Sequence, residues 1–311
     1  MKITTERIDA LRHAARMVVR ELGLHTDAYF DIGITLAERH LLIELESCLY
    51  PNVGDLAERL LLDKSTVSRL VAKAVKKEFV VYTMDKSDRR RRCLQLTEKG
   101  RQTLKAIEPL AQRQVKDALL TLNEEEAQTV EQGMALFAKG LGTARLRKEF
   151  TLASIEPQDN AALAHLITSV LKEHNCNKSR LCSSDVELQA MYEAYQQKGC
   201  AYFVIKKGAK VAGGAGIASL QNPKTDVCEL RKICLAPNAR GLGLDDLLID
   251  ACLREAKKQG YRFCIAFCIA MITEKNAEAE ELYLRHGFIR KASQNDNRGH
   301  FDSAAIFEKI L

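Results

Sequence analysis

Asp55-Leu-Ala-Glu-Arg-Leu-Leu-Leu62 and Thr66-Val-Ser-Arg-Leu-Val-Ala-Lys-Ala-Val-Lys-Lys77 are the two runs whose reading decides the fold. In the first, Leu56, Ala57, Leu60 and Leu61 recur at helical spacing, and in the second Val67, Leu70, Val71, Ala74 and Val75 share one face. Asp63-Lys64-Ser65 is a polar break between them. Two short helices joined by a polar turn make a helix-turn-helix, with Lys64, Ser65, Thr66, Ser68, Arg69 and Lys73 placed to meet DNA. Phe79–Thr83 and Cys93–Thr97 then read as strands around Asp85-Lys-Ser-Asp-Arg-Arg-Arg-Arg92. Such a hairpin is a wing whose Arg89, Arg90 and Arg91 reach a DNA backbone or minor groove. A charge run of this kind is elsewhere a solvated loop, but here helix and wing follow one another in the order a DNA reader needs.

These residues resemble the MarR family of bacterial winged-helix regulators. The resemblance rests on Leu56-Ala-Glu-Arg, Lys64-Ser-Thr-Val-Ser-Arg-Leu-Val, Asp88-Arg-Arg and Leu96-Thr-Glu-Lys-Gly100, in which Thr97 is placed as an N-cap. Glu78 stands where the family usually has glycine before the wing. Upstream, Thr4 to Leu22 is an amphipathic helix with Ile8, Leu11, Ala15, Val18 and Val19 on one face. Thr35-Leu-Ala-Glu38 has capping-box spacing and opens a helix reaching about Cys48. Downstream, helices from Gly100 to about Leu120 and from Glu124 to about Arg147 are divided near Thr121-Leu-Asn. In the resembling family the first and last helices intertwine with a second copy. A homodimer on a palindromic double-stranded operator, with half-sites about one DNA turn apart, is therefore implied.

Length and composition agree with two domains. The chain has 311 residues, of which 46% are hydrophobic, enough for two cores. Residues 1–148 hold 26 Lys+Arg against 21 Asp+Glu, and 149–311 hold 21 against 20. The excess of +5 thus sits in the DNA-reading half and leaves +1 in the other. No apolar run is long enough to span a bilayer, and the first residues lack the zones of a signal peptide. A cytoplasmic, nucleoid-associated protein with no membrane partner is expected. Ten cysteines without a Cys-x-x-Cys pair fit reduced thiols. Cys264 and Cys268 lie in an apolar run and read as buried, with a redox or metal role the alternative; Cys48 as an oxidation sensor is a similar alternative.

Arg145-Leu-Arg-Lys-Glu has no linker composition, so a second domain follows the helix end directly. Its basic residues either touch DNA or form a solvated helix end. The boundary falls at 147/148. From Phe150 strands and helices alternate. The order is a strand at Phe150–Ile155, helices from Pro157 to about Lys172 and Val186 to about Gln197, then a hairpin through Ala201–Ile205 and Val211–Ala218. A strand Cys228–Leu235 runs into Ala236-Pro-Asn-Ala-Arg-Gly-Leu-Gly-Leu244 and a helix from about Asp245 to Gln259. A buried strand Phe263–Ile269, a helix Ala277–His286 and a strand Ala304–Glu308 finish the chain. A strand that feeds a Gly-rich loop opening a helix is an anion cradle, because successive N–H groups and the helix dipole face one point.

The loop and Asn276-x-x-Ala279-x-x-Leu282-Tyr283-x-x-x-Gly287-Phe288 resemble the GNAT acetyltransferases over about Phe150 to Leu311. The order of the two halves is that of a known bacterial fusion type, and Cys228-Glu-Leu-Arg-Lys and Gly299-His-Phe look like that subgroup. The resemblance implies a multi-domain protein: a mainly α winged helix-turn-helix domain, then an α+β acyltransferase domain with a mixed, mostly antiparallel sheet. It implies acetyl-CoA as cofactor and an amine acceptor, small molecule or protein. Backbone groups of Ile233 and Leu235 would bind the pantetheine arm, and the N–H groups of Arg240, Gly241, Leu242, Gly243 and Leu244 the pyrophosphate. Tyr283 would protonate the departing thiolate, Glu229 would deprotonate the amine, and Asn276 would hydrogen-bond near the pantetheine or acceptor. A packing tyrosine is the alternative for Tyr283, and an exposed strand carboxylate paired with Arg231 or Lys232 the alternative for Glu229.

One departure from the family pattern bears on the cofactor. Asp245 occupies the last small-residue position of the loop and Asp246 follows it. Such residues suit a helix start, yet one carboxylate facing a pyrophosphate at about 4 Å costs a few kcal/mol in a surface-like dielectric. Asp245 pointing outward would cost little. Two functions follow: a DNA-binding regulator that also transfers acetyl groups, or one whose second half is an inactive ligand-sensing or interaction module.

Overall fold

The computed structural model describes residues 3–24, 33–84, 92–173, 186–220, 226–269, 275–291 and 304–311. The chain divides into two units, Met1–Glu131 and Gln132–Leu311. The division falls inside the helix Glu124–Arg147, ahead of the helix end at which the sequence suggests it.

The first unit begins with α1 (Thr5–Glu21) and α2 (Leu36–Ser47), followed by α3 (Val53–Leu60) and α4 (Lys64–Lys76). A two-stranded hairpin, β1 (Val80–Met84) and β2 (Arg92–Leu96), comes next, then α5 (Glu98–Leu119) and α6 (Glu124–Arg147). Local chemistry sets the helix starts. Thr35 and Glu38 form the expected capping box, and Asn52 and Asp55 form another at α3. Asp63 caps α4, so that helix starts at Lys64, two residues before Thr66 where the periodic pattern begins. Leu41, Leu42, Leu56, Val67, Val71, Leu94 and Ile107 pack into one core between α2, α3, α4, α5 and the hairpin. Leu61 is a correction to the apolar face read from spacing: it is 59% exposed and turns left-handed, φ 55°, at the C-cap of α3.

The hairpin pairs antiparallel from Val80↔Leu96 to Met84↔Arg92. Its tip, with Arg89, Arg90 and Arg91, lies outside the described residues. Glu78 takes φ 63°, the conformation that explains why glycine is usual there. That strain, about 1–2 kcal/mol, is held by contacts around Thr97. The Thr97 hydroxyl donates to the Glu78 carbonyl at 2.6 Å and accepts from the Gly100 N–H at 3.0 Å, while Lys99 Nζ lies 3.0 Å from the Glu78 carboxylate.

Glu38 is the buried charge among the described residues of this unit, 2% exposed, with Lys77 Nζ at 2.8 Å. Burial alone would raise its carboxyl, but the Lys77 hydrogen bond and the Thr35 N–H together hold it below its ordinary value of 4.5. A depressed carboxyl contributes stability that is fully present above pH 4.5 and disappears as pH falls through the lower folded value. Glu38→Gln is expected to cost about 1.5–3 kcal/mol near neutrality and to flatten the acid limb of the stability curve. Urea melts of wild type and variant between pH 7 and pH 3 read both effects.

The second unit contains β3 (Phe150–Ser154), a 3-10 turn Pro157–Asp159, α7 (Asn160–Glu173), a 3-10 turn Val186–Gln189 and α8 (Met191–Tyr195). There follow β4 (Ala201–Lys207), β5 (Lys210–Ser219), β6 (Val227–Leu235), a 3-10 turn Pro237–Ala239 and α9 (Leu244–Lys258). β7 (Phe263–Ile269), α10 (Lys275–Arg285), β8 (Ile289–Lys291) and β9 (Ala304–Ile310) complete it. The strands form one sheet in the order β3-β4-β5-β6-β7-β9-β8, antiparallel except for β6 and β7. Leu244, Leu248, Ile249, Cys252 and Ala256 of α9 pack with Ile217, Cys228 and Leu230 in one core; Leu163, Met191 and Tyr195 pack with Tyr202 and Val204 in another. Among the described residues no helix is long and apolar enough to cross a membrane.

Two elements differ from the sequence reading. The single helix expected from Val186 to Gln197 is a 3-10 turn and a short α-helix broken at Ala190. The Asn160 side-chain oxygen accepts the Tyr192 N–H at 2.7 Å, which starts a new helix there. β8 is not among the expected strands; its three residues pair with Ile306–Glu308 of β9 at the sheet edge.

Candidate functional site

On α4, Lys64, Ser65, Ser68, Arg69 and Lys73 are exposed, opposite buried Val67, Leu70, Val71 and Ala74. Thr66 is half-buried. The Ser65 and Thr66 hydroxyls both donate to Asp63, at 2.5 and 2.6 Å, and the Thr66 N–H donates to it at 2.8 Å. The Ser65 hydroxyl first, then Thr66, holds the Asp63 carboxyl well below the usual carboxylate range. Ser65 and Thr66 therefore also serve the cap, and the outward face carries Lys64, Ser65, Ser68, Arg69 and Lys73.

The second site is built where β6 leaves its neighbour. β6 and β7 pair in parallel only from Val227↔Phe263 to Leu230↔Ala266. Beyond Leu230 the β7-facing edge of Arg231–Leu235, which includes Ile233, has no partner strand among the described residues. On its other edge β6 bulges against β5: Gly216 faces Arg231 and Gly214 faces Cys234, and Lys232 takes φ 51°. Tyr202 holds the bulge by donating its hydroxyl to the Lys232 carbonyl at 2.9 Å. Its ring lies across β5 only because residues 214 and 216 are glycines, since a Cβ would stand 2.5 Å and 2.4 Å from ring carbons. The glycine run of β5 thus serves packing under the site.

The loop after β6 turns twice through left-handed backbone, at Gly241 (φ 72°) and Gly243 (φ 65°), and Gly243 is the N-cap of α9. The Arg240 N–H donates to Pro237 at 3.4 Å, while those of Gly241, Leu242, Gly243 and Leu244 have no backbone acceptor among the described residues. A Cβ on Gly241 would meet nothing within 4 Å, so at that residue the loop faces open space. The Arg240 side chain braces this loop: Nε donates to the Leu235 carbonyl at 3.1 Å, and Nη1 and Nη2 grip Glu173 of α7 at 2.7 Å each. A row of donors with a positive helix end behind it fits a pyrophosphate.

The two aspartates at the helix start are held from α10. Arg285 Nη2 lies 4.0 Å from Asp245 and 3.0 Å from Asp246. His286 Nε2 lies 2.9 Å from Asp246 and Nδ1 3.3 Å from Asp250. These partners offset part of the repulsion expected from the sequence, although Asp246 Oδ2 stays close to the loop, 3.4 Å from where a Gly243 Cβ would stand.

Glu229 is 9% exposed, so the alternative for it is corrected as to exposure, while the pairing with Arg231 that it named is present. Its central strand is covered on both edges, by Ala218 and by Ile265. Arg231 Nε lies 3.4 Å from it, and Glu187 holds Arg231 and Lys232 at 3.5 and 3.0 Å. Tyr283 is 5% exposed, its ring 5.6 Å from Phe288 and 5.4 Å from Phe307. Asn276 belongs to α10, but its side chain lies outside the described residues. Three residues of the site escape sequence reasoning: Tyr202, Glu173 and Arg147, whose Nη1 would lie 3.5 Å from a Gly243 Cβ. For Tyr202 the facing glycines are a signal; Glu173 and Arg147 have none in local pattern.

Residues 162–288 match the model of the acetyltransferase (GNAT) family, and residues 32–91 that of the MarR family. The chain is 34% identical over 130 residues to the uncharacterized N-acetyltransferase YjgM of Escherichia coli, covering 42% of this chain and 78% of that one. It is 27% identical over 113 residues to the HTH-type transcriptional regulator SarZ of Staphylococcus epidermidis, covering 36% and 75%. The crystal structure of a GNAT-family acetyltransferase from Staphylococcus aureus superposes with a TM-score of 0.45 at 16% identity, over 52% of this chain and 99% of that one.

Proposed function

Because the chain belongs to the GNAT acetyltransferase family through its second unit and carries a MarR-family winged helix-turn-helix in its first, we propose that it is a dimeric DNA-binding regulator that also transfers an acetyl group from acetyl-CoA to an amine. The DNA-binding and dimerisation domain spans 1–147, the transferase domain 148–311, and the protein works in the cytoplasm at the nucleoid. The observation that carries the transferase half is the row of N–H groups from Gly241 to Leu244 at the start of α9.

Dimerisation is supported by apolar faces that stand exposed among the described residues. Ile8, Leu11, Val18 and Val19 of α1 are 39–48% exposed, and Val130, Met134, Phe137 and Leu141 of α6 are 40–58% exposed. A second copy would bury them and pair two α4 helices on one palindrome.

Acetyl-CoA would supply an activated acetyl thioester. The N–H groups of Gly241 to Leu244 hold its pyrophosphate, with Arg240 setting the loop. The open edge at Ile233 and Leu235 orients the pantetheine arm and polarises the acetyl carbonyl. Glu229, directly or through water, takes the proton that the amine loses as its nitrogen bonds to the acetyl carbon. Tyr283 gives a proton to the sulfur as the carbon–sulfur bond breaks, and Asn276 orients the pantetheine or acceptor. Cys234 on β6 takes no covalent part, since burial pushes its thiol up to about 12 and leaves it protonated. Direct transfer is the chemistry these residues support.

Asp246 Oδ2 beside the loop favours a second reading, in which the domain binds no acyl-CoA for catalysis and acts as a sensing or interaction module. Thiol release from acetyl-CoA in the presence of amino acids, polyamines and lysine peptides separates the two. Amine-dependent release is expected, and none with any acceptor class would support the sensor.

A further inference from the structure

We propose that Arg147, the last residue of α6, binds the cofactor pyrophosphate together with the loop Gly241–Leu244. The inference rests on the acetyl-CoA reading above. It adds a phosphate ligand from the helix that precedes the transferase fold. By sequence alone this segment reads as a DNA contact or a solvated helix end.

Three observations carry it. Arg147 Nη1 lies 3.5 Å from the position a Cβ would take on Gly243, so the guanidinium stands against the backbone where the loop becomes α9. Arg147 is only half-exposed and makes no ion pair or hydrogen bond among the described residues. Of the acids around it, Glu149 is held by Lys207 at 2.7 Å and Asp246 Oδ1 by Arg285 and His286, while Asp246 Oδ2 stands 3.4 Å from the same Gly243 Cβ position without coming within ion-pair distance of Arg147.

Two groups of positive charge face one point here, and Asp245 and Asp246 offset only part of their repulsion. A helix N-terminus carries a partial positive charge on its N–H groups, and the Gly241–Leu244 donors point that charge at the same place. A guanidinium brought alongside adds repulsion, whereas a diphosphate between them is attracted by both. Arg presents a planar fork suited to phosphate oxygens. Its charge also opposes that of Asp245 and Asp246, which explains how a phosphate loop tolerates carboxylates where small residues are usual.

The test is calorimetric titration of CoA and of 3′-dephospho-CoA into the full chain and into Arg147→Gln, Arg147→Lys and Arg145→Gln. Wild type and Arg145→Gln are expected to bind alike. Arg147→Gln should weaken both ligands by the same factor, roughly ten- to hundredfold for removal of a charge-assisted hydrogen bond, with Arg147→Lys between. Unchanged affinity in Arg147→Gln overturns the proposal while leaving the acetyl-CoA reading intact. A loss confined to CoA would place Arg147 on the 3′-phosphate and overturns the pyrophosphate assignment. A lowered melting temperature with equal loss in the Gln and Lys variants would make the residue structural and also overturns it. Failure of wild type to bind either ligand overturns the acetyl-CoA reading and this inference with it.

Discussion

Tyr283→Phe is expected to lower the rate of acetyl transfer by about a hundredfold or more, with the affinity for acetyl-CoA unchanged. The substitution is chosen because the ring is part of the core, wedged between Phe288 and Phe307. Phenylalanine keeps that packing and removes one hydroxyl, so the fold and the Gly241–Leu244 loop are preserved. What disappears is the proton donor for the departing thiolate, and general acid catalysis contributes typically about 10²–10⁴-fold. The signature is therefore a fall in kcat with an unchanged Kd for the cofactor, read by thiol release and calorimetry on the same preparation. A variant at full rate would make Tyr283 a packing residue and send the search for the acid elsewhere.

The second large effect belongs to the other half. Arg69→Ala combined with Lys73→Ala is expected to weaken operator binding about a hundredfold at moderate salt. Both side chains are exposed on the face of α4 opposite its buried Val67, Leu70, Val71 and Ala74, so truncation leaves the core untouched. If each neutralises one phosphate, the slope of log affinity against log salt should fall by about one for every phosphate that goes unneutralised in each subunit. Weaker binding with an unchanged slope would instead assign these residues to base edges. Fluorescence anisotropy across a salt series distinguishes the two, and unchanged binding would remove α4 as the reading helix.

Much of this is legible from residues alone, and the reasons are local. Helix starts are legible where Thr35 and Thr97 cap within three residues of themselves; Asp63 caps in the same way, but Asp63-Lys64-Ser65 reads as a polar break and hides the true start of α4. The helix-turn-helix and the loop at Arg240–Leu244 are legible because short spacing carries their chemistry. Non-local features are not. Leu61 fits the helical period and still leaves the core, because a left-handed C-cap rotates it away. Asn160 breaks the helix near Ala190 from 32 residues away in sequence. Burial of Glu229 is hidden because strand alternation does not show which strand is central; its neighbours Ala218 and Ile265 come from two other strands. The partners of Asp245 and Asp246, Arg285 and His286, come from about forty residues on, and Arg147 stands beside the same loop from the end of α6, so neither is visible in local pattern.

The central claim is that the loop between β6 and α9 binds acetyl-CoA despite its two aspartates. Calorimetric titration of acetyl-CoA into this 311-residue chain, with CoA alongside, tests it most directly. Saturable binding at micromolar Kd or tighter, one site per chain, is the expected result. No detectable heat or saturation at millimolar cofactor would contradict it and leave DNA reading as the activity of this chain.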